Sequence, residues 1–212
     1  IDKIVMPGFV NAHIHTWQTG LRGIAGNWSI PEYLQIMHTR LAPRFTPNDT
    51  YLGNLIGSLN QINNGATTIF DWCHNNATPA HTDAAISGLH DAGIRALFGH
   101  GSPKPSSKKG QIPYTHIPHP RRELERLRKG SLCSNNKLIT LAMAALGPDF
   151  STWEVTQHDF TLAKDGKIKS FARFSLASEA RGRGTTSTEK LARDSLAPWV
   201  LSPISTSPEQ QS

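Results

Sequence analysis

The chain alternates short apolar segments with longer amphipathic ones, and this alternation is the strongest constraint on its fold. Four segments predict strands because their β-branched, aromatic and aliphatic side chains suit a buried pleated surface: residues 9–12, 66–72, 94–99 and 138–146. Strands that alternate with helices indicate a parallel sheet joined by crossover helices. The sequence therefore predicts an α/β fold, although periodicity leaves a closed barrel and a doubly wound sheet both open. No glycine-rich phosphate loop follows any strand, which argues against nucleotide binding.

The clearest helix signal lies between the first two predicted strands. Thr46 suits an N-cap, Pro47 suits the first helical position, and Asp49 places a negative charge in the first turn. Asn64-Gly65 predicts its end. Six apolar residues of this helix share one face: Tyr51, Leu52, Leu55, Ile56, Leu59 and Ile62. Further helices are predicted over residues 32–41, 79–92, 119–129 and 153–164.

Length and composition fit one globular unit. The chain has 212 residues, of which 37% are hydrophobic, enough for one sizeable core. No apolar run approaches the roughly 20 residues that a membrane span needs. Cys73 and Cys133 are isolated and lack metal-ligand spacing, which favours a reducing compartment over a disulfide framework. We therefore expect a cytoplasmic protein.

The net charge of +6 raises the question of nucleic-acid binding. The excess of basic residues lies in the second half of the chain. Residues 1–103 hold 5 Lys/Arg and 6 Asp/Glu, whereas residues 104–212 hold 17 Lys/Arg and 10 Asp/Glu. The basic stretches lack interleaved aromatic residues and match no nucleic-acid motif. Solvated helix faces and an irregular tail account for them, so nucleic acid is not the expected partner.

Two histidines follow the first predicted strand with a single residue between them. In an extended chain, His13 and His15 point to the same side, about 6–7 Å apart along the strand. Imidazoles placed in this way can bind one metal ion, and they suit zinc, iron or nickel. The alternative is one packed and one solvated histidine at a strand end.

The stretch PGFVNAHIHTWQTGLRG, residues 7–23, resembles the first barrel strand of the amidohydrolase superfamily. It is most similar to the branch that contains chlorohydrolases, guanine and cytosine deaminases, and S-adenosylhomocysteine deaminases. The resemblance extends from Ile4 to about Asp165. It implies that His13 and His15 bind a catalytic divalent metal, zinc or alternatively iron, at the mouth of a (β/α)₈ barrel.

The resemblance selects the barrel and also indicates that only part of it is present. A barrel of this type takes about 250 residues, and the fourth strand–helix unit ends near residue 164. Lys167–Phe174 is a candidate fifth strand. We therefore expect a partial TIM-type barrel of four to five units over residues 1–165. Residues 166–212, rich in Ser, Thr, Arg and Pro, are expected to form an irregular or disordered tail.

Other candidate site residues lie near the carboxyl ends of the strands, where barrel enzymes carry their chemistry. By resemblance, Trp17 and Gln18 contribute to the substrate pocket, and His74 and His100 line it. The alternatives are a packed tryptophan, a surface glutamine, and histidines without a chemical role. Asp71 either anchors a turn or orients a ligand histidine, with the turn favoured. Five further histidines are interpreted as structural or solvated: His38, His81, His90, His116 and His158.

The activity that the resemblance implies is hydrolysis of a non-peptide C–N bond in a heterocyclic amine, by deamination or the related dechlorination. A metal-activated water would attack the ring carbon. The family's further histidines and its late aspartate cannot be mapped onto this sequence, so the catalytic acid–base residues stay unassigned. The competing hypothesis is a non-catalytic remnant or an interaction module. The sequence does not identify the substrate, the choice between zinc and iron, or the oligomeric state.

Overall fold

A computed structural model describes residues 3–104 and 110–172 as a five-stranded sheet with helices between successive strands. The strands are β1 (Phe9–Ile14), β2 (Ala66–Cys73), β3 (Arg95–Gly101), β4 (Ile139–Ala145) and β5 (Lys169–Ala172). Each pairs in parallel with the next, in the order β1-β2-β3-β4-β5. This sequential parallel order confirms the predicted α/β fold.

Five α-helices connect or follow these strands. They are α1 (Ile30–Tyr33), α2 (Pro47–Asn63), α3 (Pro79–Ala92), α4 (Arg121–Lys129) and α5 (Trp153–Asp165). Shorter 3-10 helices cover Thr16–Leu21, Ala42–Arg44 and Tyr114–His116. Among the described residues, no helix combines the length and the apolar character needed to cross a membrane.

The helix predicted over residues 32–41 differs in its winding. It begins earlier, at Ile30, because Ser29 and Glu32 form a reciprocal capping box. From Leu34 to Leu41 the chain is a π-helix, and Pro43 lies within the following 3-10 turn. The side-chain period of this segment therefore departs from the 3.6 residues assumed from the sequence.

The other helix boundaries follow the local signals in the sequence. Thr46 and Asp49 form the capping box that starts α2. Helix α3 ends at Gly93, whose φ of +73° lies in the left-handed region that glycine tolerates best. Thr152 accepts a hydrogen bond from the backbone N–H of Val155 and caps α5.

The core lies between the sheet and its helices. Ile69 of β2, Phe98 of β3 and Leu141 of β4 are buried in one cluster with the helix residues Leu89 and Leu127. Burying such side chains contributes about 1.5–3 kcal/mol each.

The sheet continues beyond residue 165, where the tail was predicted to begin. Strand β5, inside the candidate segment Lys167–Phe174, pairs with β4 from Ala142 to Ala145. The remainder of the predicted tail lies outside the described residues.

Glycines on α2 allow the segment that follows β1 to approach the helix closely. A Cβ atom at Gly53 would lie 2.6 Å from the carbonyl oxygen of Trp17, and one at Gly57 would lie 2.4 Å from Thr19 Oγ1. A side chain at Gly53 would therefore displace backbone, and one at Gly57 would displace the Thr19 hydroxyl. The 3-10 helix Thr16–Leu21 is therefore held against α2 by the absence of side chains at these two positions.

We predict that Gly53→Ala lowers the free energy of unfolding by about 1–3 kcal/mol, because the new methyl group meets backbone rather than a mobile side chain. Urea denaturation followed by circular dichroism measures this. Gly20→Ala is the matched control, since no atom lies within 4 Å of its Cβ position. Equal stability of the two variants would contradict the close packing.

Candidate metal centre and the surrounding histidines

The side chains of His13 and His15 converge at the carboxyl end of β1. Their Nε2 atoms are 3.3 Å apart, and their ring centroids are 4.8 Å apart. Two imidazole nitrogens bound to one tetrahedral zinc ion at 2.0–2.1 Å would be about 3.3–3.4 Å apart. The spacing of the two nitrogens therefore fits joint coordination of a zinc-sized ion.

A backbone contact fixes the tautomer of His15. Its Nδ1 lies 2.7 Å from the carbonyl oxygen of Trp72. Because a carbonyl oxygen only accepts, Nδ1 carries the proton, and Nε2 keeps its lone pair in the neutral ring. Burial lowers the pKa of His15 to about 4, so the ring is neutral at pH 7. A second hydrogen bond of this kind is usual for metal-binding histidines.

Two more buried histidines lie next to this pair. The ring of His74 is 4.3 Å from that of His15 and 4.4 Å from that of His38. Burial lowers the pKa of His38 to about 3 and that of His74 well below its usual value. These four histidines, His13, His15, His38 and His74, are called the histidine cluster below.

Trp17 acts on this cluster through His74. Its indole N–H donates to His74 Nδ1 at 3.2 Å, so the proton of neutral His74 is on Nε2. The Trp17 side chain is completely buried, with Phe45 and His38 among its ring neighbours. Trp17 therefore fixes the orientation of the His74 ring through this hydrogen bond.

Gln18 lies half-buried beside the cluster. Its amide nitrogen donates to the hydroxyl of Tyr33 at 2.7 Å, and the ring of Tyr33 is 5.3 Å from that of His38. From the sequence, His38 is interpreted as structural or solvated, and the structure buries it next to His74. The sequence does contain a signal for this position, because residues 34, 37, 38 and 41 share one face of a helix with 3.6 residues per turn.

His100, the remaining predicted pocket residue, belongs to a different buried group. Its Nδ1 is 2.9 Å from His119 Nε2, and its ring packs near Phe98. The backbone N–H of His119 donates to Asp159 at 2.8 Å. The structure thus brings His13, His15, Trp17 and His74 together, with Gln18 at the margin, and places His100 with His119.

Asp71 anchors the turn after the histidine pair, the role favoured from the sequence. Its Oδ1 accepts the backbone N–H of Thr16 at 3.1 Å, and its Oδ2 accepts the side-chain amide of Asn54 at 3.0 Å. The carboxyl group is fully buried, and this burial raises its pKa to about 6. Asp71 therefore ties β2, α2 and the end of β1 together.

Lys104 adds a positive charge to the surroundings of the cluster. Burial lowers the pKa of this half-buried lysine to about 8. After burial, its charge is the largest cause that lowers the pKa of both His38 and His74. Lys104 therefore helps keep His38 and His74 neutral, which is the protonation state in which imidazole binds metal.

The cluster supplies only part of a complete metal site. Within residues 3–104 and 110–172, no group of three or more His, Cys, Asp or Glu side chains is placed to hold a metal ion. Two convergent Nε2 atoms leave the other positions of a four-coordinate ion open.

Comparison with known proteins identifies the family. The model of the amidohydrolase family matches residues 4–150, which is more than half of the chain. The chain belongs to this family. The match includes the histidine pair and all of β1 to β4.

A curated relative is the 5-methylthioadenosine/S-adenosylhomocysteine deaminase of Symbiobacterium thermophilum. It is 36% identical over 99 residues, which are 47% of this chain and 21% of the relative. The chain thus matches about a fifth of the length of that protein.

Solved structures show the same fold at lower identity. An adenosine deaminase from Xanthomonas campestris with bound zinc gives a TM-score of 0.60 at 19% identity, covering 89% of this chain and 42% of the other. A zinc complex of atrazine chlorohydrolase from Arthrobacter aurescens TC1 gives 0.63 at 19%, covering 80% and 41%. This chain therefore covers about two fifths of each of those larger structures, as expected for a partial barrel.

We predict that Asp71→Asn removes a pH-dependent part of the stability. Because the folded pKa of about 6 exceeds the unfolded value of 3.8, the folded chain binds this proton more tightly. The contribution of Asp71 is therefore fully present below about pH 4, and it falls by about 3 kcal/mol as the pH rises through 6.

Urea unfolding at pH 4, 5, 6 and 7 measures this effect. The stability of the parent relative to Asp71→Asn should fall as the pH rises. Asp165→Asn is the control, because this carboxyl group is exposed at the end of α5. A parent–variant difference that does not change with pH would contradict the prediction.

Proposed function

We propose that His13 and His15 hold the catalytic divalent metal of a hydrolase that acts on non-peptide C–N bonds of a heterocyclic amine. One observation carries the proposal: the two Nε2 atoms are 3.3 Å apart while the His15 Nδ1–H is engaged by the Trp72 carbonyl. The names of the relatives support the reaction class, since they include deaminases and a chlorohydrolase.

When bound, the metal supplies a water of lowered pKa as the nucleophile. The residues of this chain prepare its site. The Trp72 carbonyl holds the His15 ring in one tautomer, and Asp71 fixes the backbone at Thr16, directly after His15. The neutral ring of His15 keeps its Nε2 available without prior loss of a proton.

The substrate would approach the histidine cluster from the side where the strands have their carboxyl ends. His74 presents an Nε2–H donor, fixed by Trp17, and Gln18 lies at the margin of the cluster. Trp17 acts as a positioning residue because it is fully buried. The hydrogen bond of His100 to His119 favours a structural role for that residue.

We propose zinc as the metal, because the similar deaminase and chlorohydrolase structures contain it. Iron accepts the same imidazole ligands. The proposed substrate is a small heterocyclic amine, and the proposed location is the cytoplasm.

A second candidate is a non-catalytic remnant or an interaction module. It is favoured by the incomplete ligand set among the described residues. Metal binding and catalysis are therefore tested separately.

We predict that the purified chain binds one zinc ion and that His13→Ala and His15→Ala each lose it, because one imidazole alone is a weak zinc ligand. Metal analysis after dialysis against zinc measures the stoichiometry. His90→Ala is the control, since this exposed histidine lies at the end of α3 and pairs with Asp91. Absence of zinc from the parent, or its retention in both variants, would refute the site.

Ammonia release from methylthioadenosine then separates the two candidates. Release that requires zinc and both histidines supports the hydrolase. Bound zinc without ammonia release from this or other aminated heterocycles supports the remnant.

A further inference from the structure

Two neighbouring imidazoles at the carboxyl ends of β1 and β2 are held in opposite tautomers. His15 donates its Nδ1–H to the Trp72 carbonyl, so its lone pair is on Nε2. His74 accepts the indole N–H of Trp17 on Nδ1, so its proton is on Nε2. The two rings are 4.3 Å apart. One ring can therefore bind a metal ion through Nε2, whereas the other can only donate a hydrogen bond from the same atom.

The contact with Trp17 leaves His74 a single tautomer. An indole N–H donates and does not accept, so a proton on Nδ1 of His74 would set two N–H groups against each other. That arrangement is unfavourable because Trp17 is completely buried and His74 is 4% exposed, which keeps water from replacing the missing acceptor. Burial also holds the pKa of His74 well below its usual value, so the ring stays neutral.

The Nε2–H of His74 has no acceptor within residues 3–104 and 110–172. The hydrogen bond from Trp17 uses the other nitrogen, and the remaining contacts of the ring are with His15 and His38. A largely buried donor without an acceptor is rare in folded proteins and points to a bound partner. Because His15 is a proposed metal ligand, this donor lies beside the place where the metal-activated water would act.

The hydrolysis proposed above changes the hydrogen bonding of the substrate ring next to the reacting carbon. In the amine, the ring nitrogen bonded to that carbon carries a lone pair and no hydrogen. The C–N bond to the amino group breaks and a C–O bond to water forms. One water proton leaves with ammonia, and the other is on the ring nitrogen of the lactam product. An acceptor in the substrate has become a donor in the product.

We propose that His74 is a specificity-determining residue that binds this ring nitrogen, and that Trp17, by fixing the tautomer of His74, makes the site select the amine over the lactam. The inference rests on the proposed function, since it places the reacting carbon at the metal held by His13 and His15. The ring nitrogen of the amine accepts the Nε2–H of His74. In the lactam, one N–H faces another, which weakens binding. The substrate class is therefore an amine whose neighbouring ring nitrogen is unprotonated.

His38 also lies beside His74 but does not carry this selection. Its ring is 4.4 Å from that of His74 and makes no hydrogen bond within the described residues. A neutral imidazole without a fixed partner can place its proton on either nitrogen, so it can donate or accept. His38 therefore adapts to substrate and product alike, whereas His74 does not.

The tautomer of His74 can be observed directly. Long-range ¹H–¹⁵N correlation spectra distinguish protonated from unprotonated imidazole nitrogens. At pH 7, His74 should show one tautomer, with the proton on Nε2, and Trp17→Phe should show both because a phenyl ring has no N–H. Trp153→Phe, at the start of α5, is the control and should keep the single tautomer. A proton on Nδ1 in the parent, or an unchanged tautomer in Trp17→Phe, would contradict the proposal.

Ligand affinity tests the selection itself. Isothermal titration calorimetry with a metal chelator present compares methylthioadenosine with its deaminated product, methylthioinosine, without turnover. The parent should bind the amine at least about 10-fold more tightly, as expected for one hydrogen bond to a buried donor. Trp17→Phe and His74→Gln should each reduce this ratio to within about threefold, because each leaves a group that can donate or accept. His38→Gln, the same change on the neighbouring ring, is the matched control and should keep the ratio.

Circular dichroism checks that each variant folds, and His74→Gln decides the question if Trp17→Phe does not. Equal affinity of the parent for the two ligands, a parent that binds neither, or a ratio that survives in a folded disruptive variant would each overturn the proposal. The result is separate from catalysis. Selective binding without ammonia release would retain this inference and remove the proposed function, and ammonia release without selective binding would do the reverse.

Discussion

The arrangement around the histidine pair depends on one buried carboxylate. Asp71 accepts hydrogen bonds from the Thr16 backbone and from Asn54, which joins three segments that are distant in the sequence. Burying a carboxyl group is unfavourable unless hydrogen bonds offset the loss of water. Because Thr16 directly follows His15, the direction in which the chain leaves β1, and with it the placement of the imidazole, follows from this contact.

A second constraint, the space available around α2, links the inside of the molecule to its outside. The 3-10 helix that carries Trp17 needs a helix face without side chains, and Gly53 and Gly57 provide it. The aliphatic residues of α2 are then left on the opposite face. The close packing of Trp17 on α2 and the exposure of Leu52, Ile56, Leu59 and Ile62 on its opposite face are thus two results of the same arrangement.

Sequence reasoning predicted the elements better than it predicted the directions of their side chains. Alternating periodicity located the strands, and local capping residues such as Thr46 located the helix starts. Resemblance, rather than periodicity, selected the barrel and the His13–His15 pair. The packing of His38 against His74 joins two segments that are distant in the sequence, and helical periodicity does not predict such a pairing. For His100, predicted to line the pocket, the structure adds a contact with His119 in the segment before α4, which no pattern in the sequence indicates. The sequence also did not predict which face of α2 is buried. Apolar periodicity favours burial of the aliphatic face, whereas the structure buries the face that carries Gly53 and Gly57, because only that face lets Trp17 and Thr19 approach closely.

The histidine cluster has a consequence for the order of folding. All its members, and the Asp71 and Trp72 contacts that orient them, come from residues 13–74. The hydrogen bonds that join these residues close loops of 55 and 57 residues, and the entropic cost of closing a loop grows only slowly with its length. During synthesis, every member of the cluster is made before β3, β4 and β5. The corner that carries the histidines therefore has all its own contacts available before the later strands of the sheet are added.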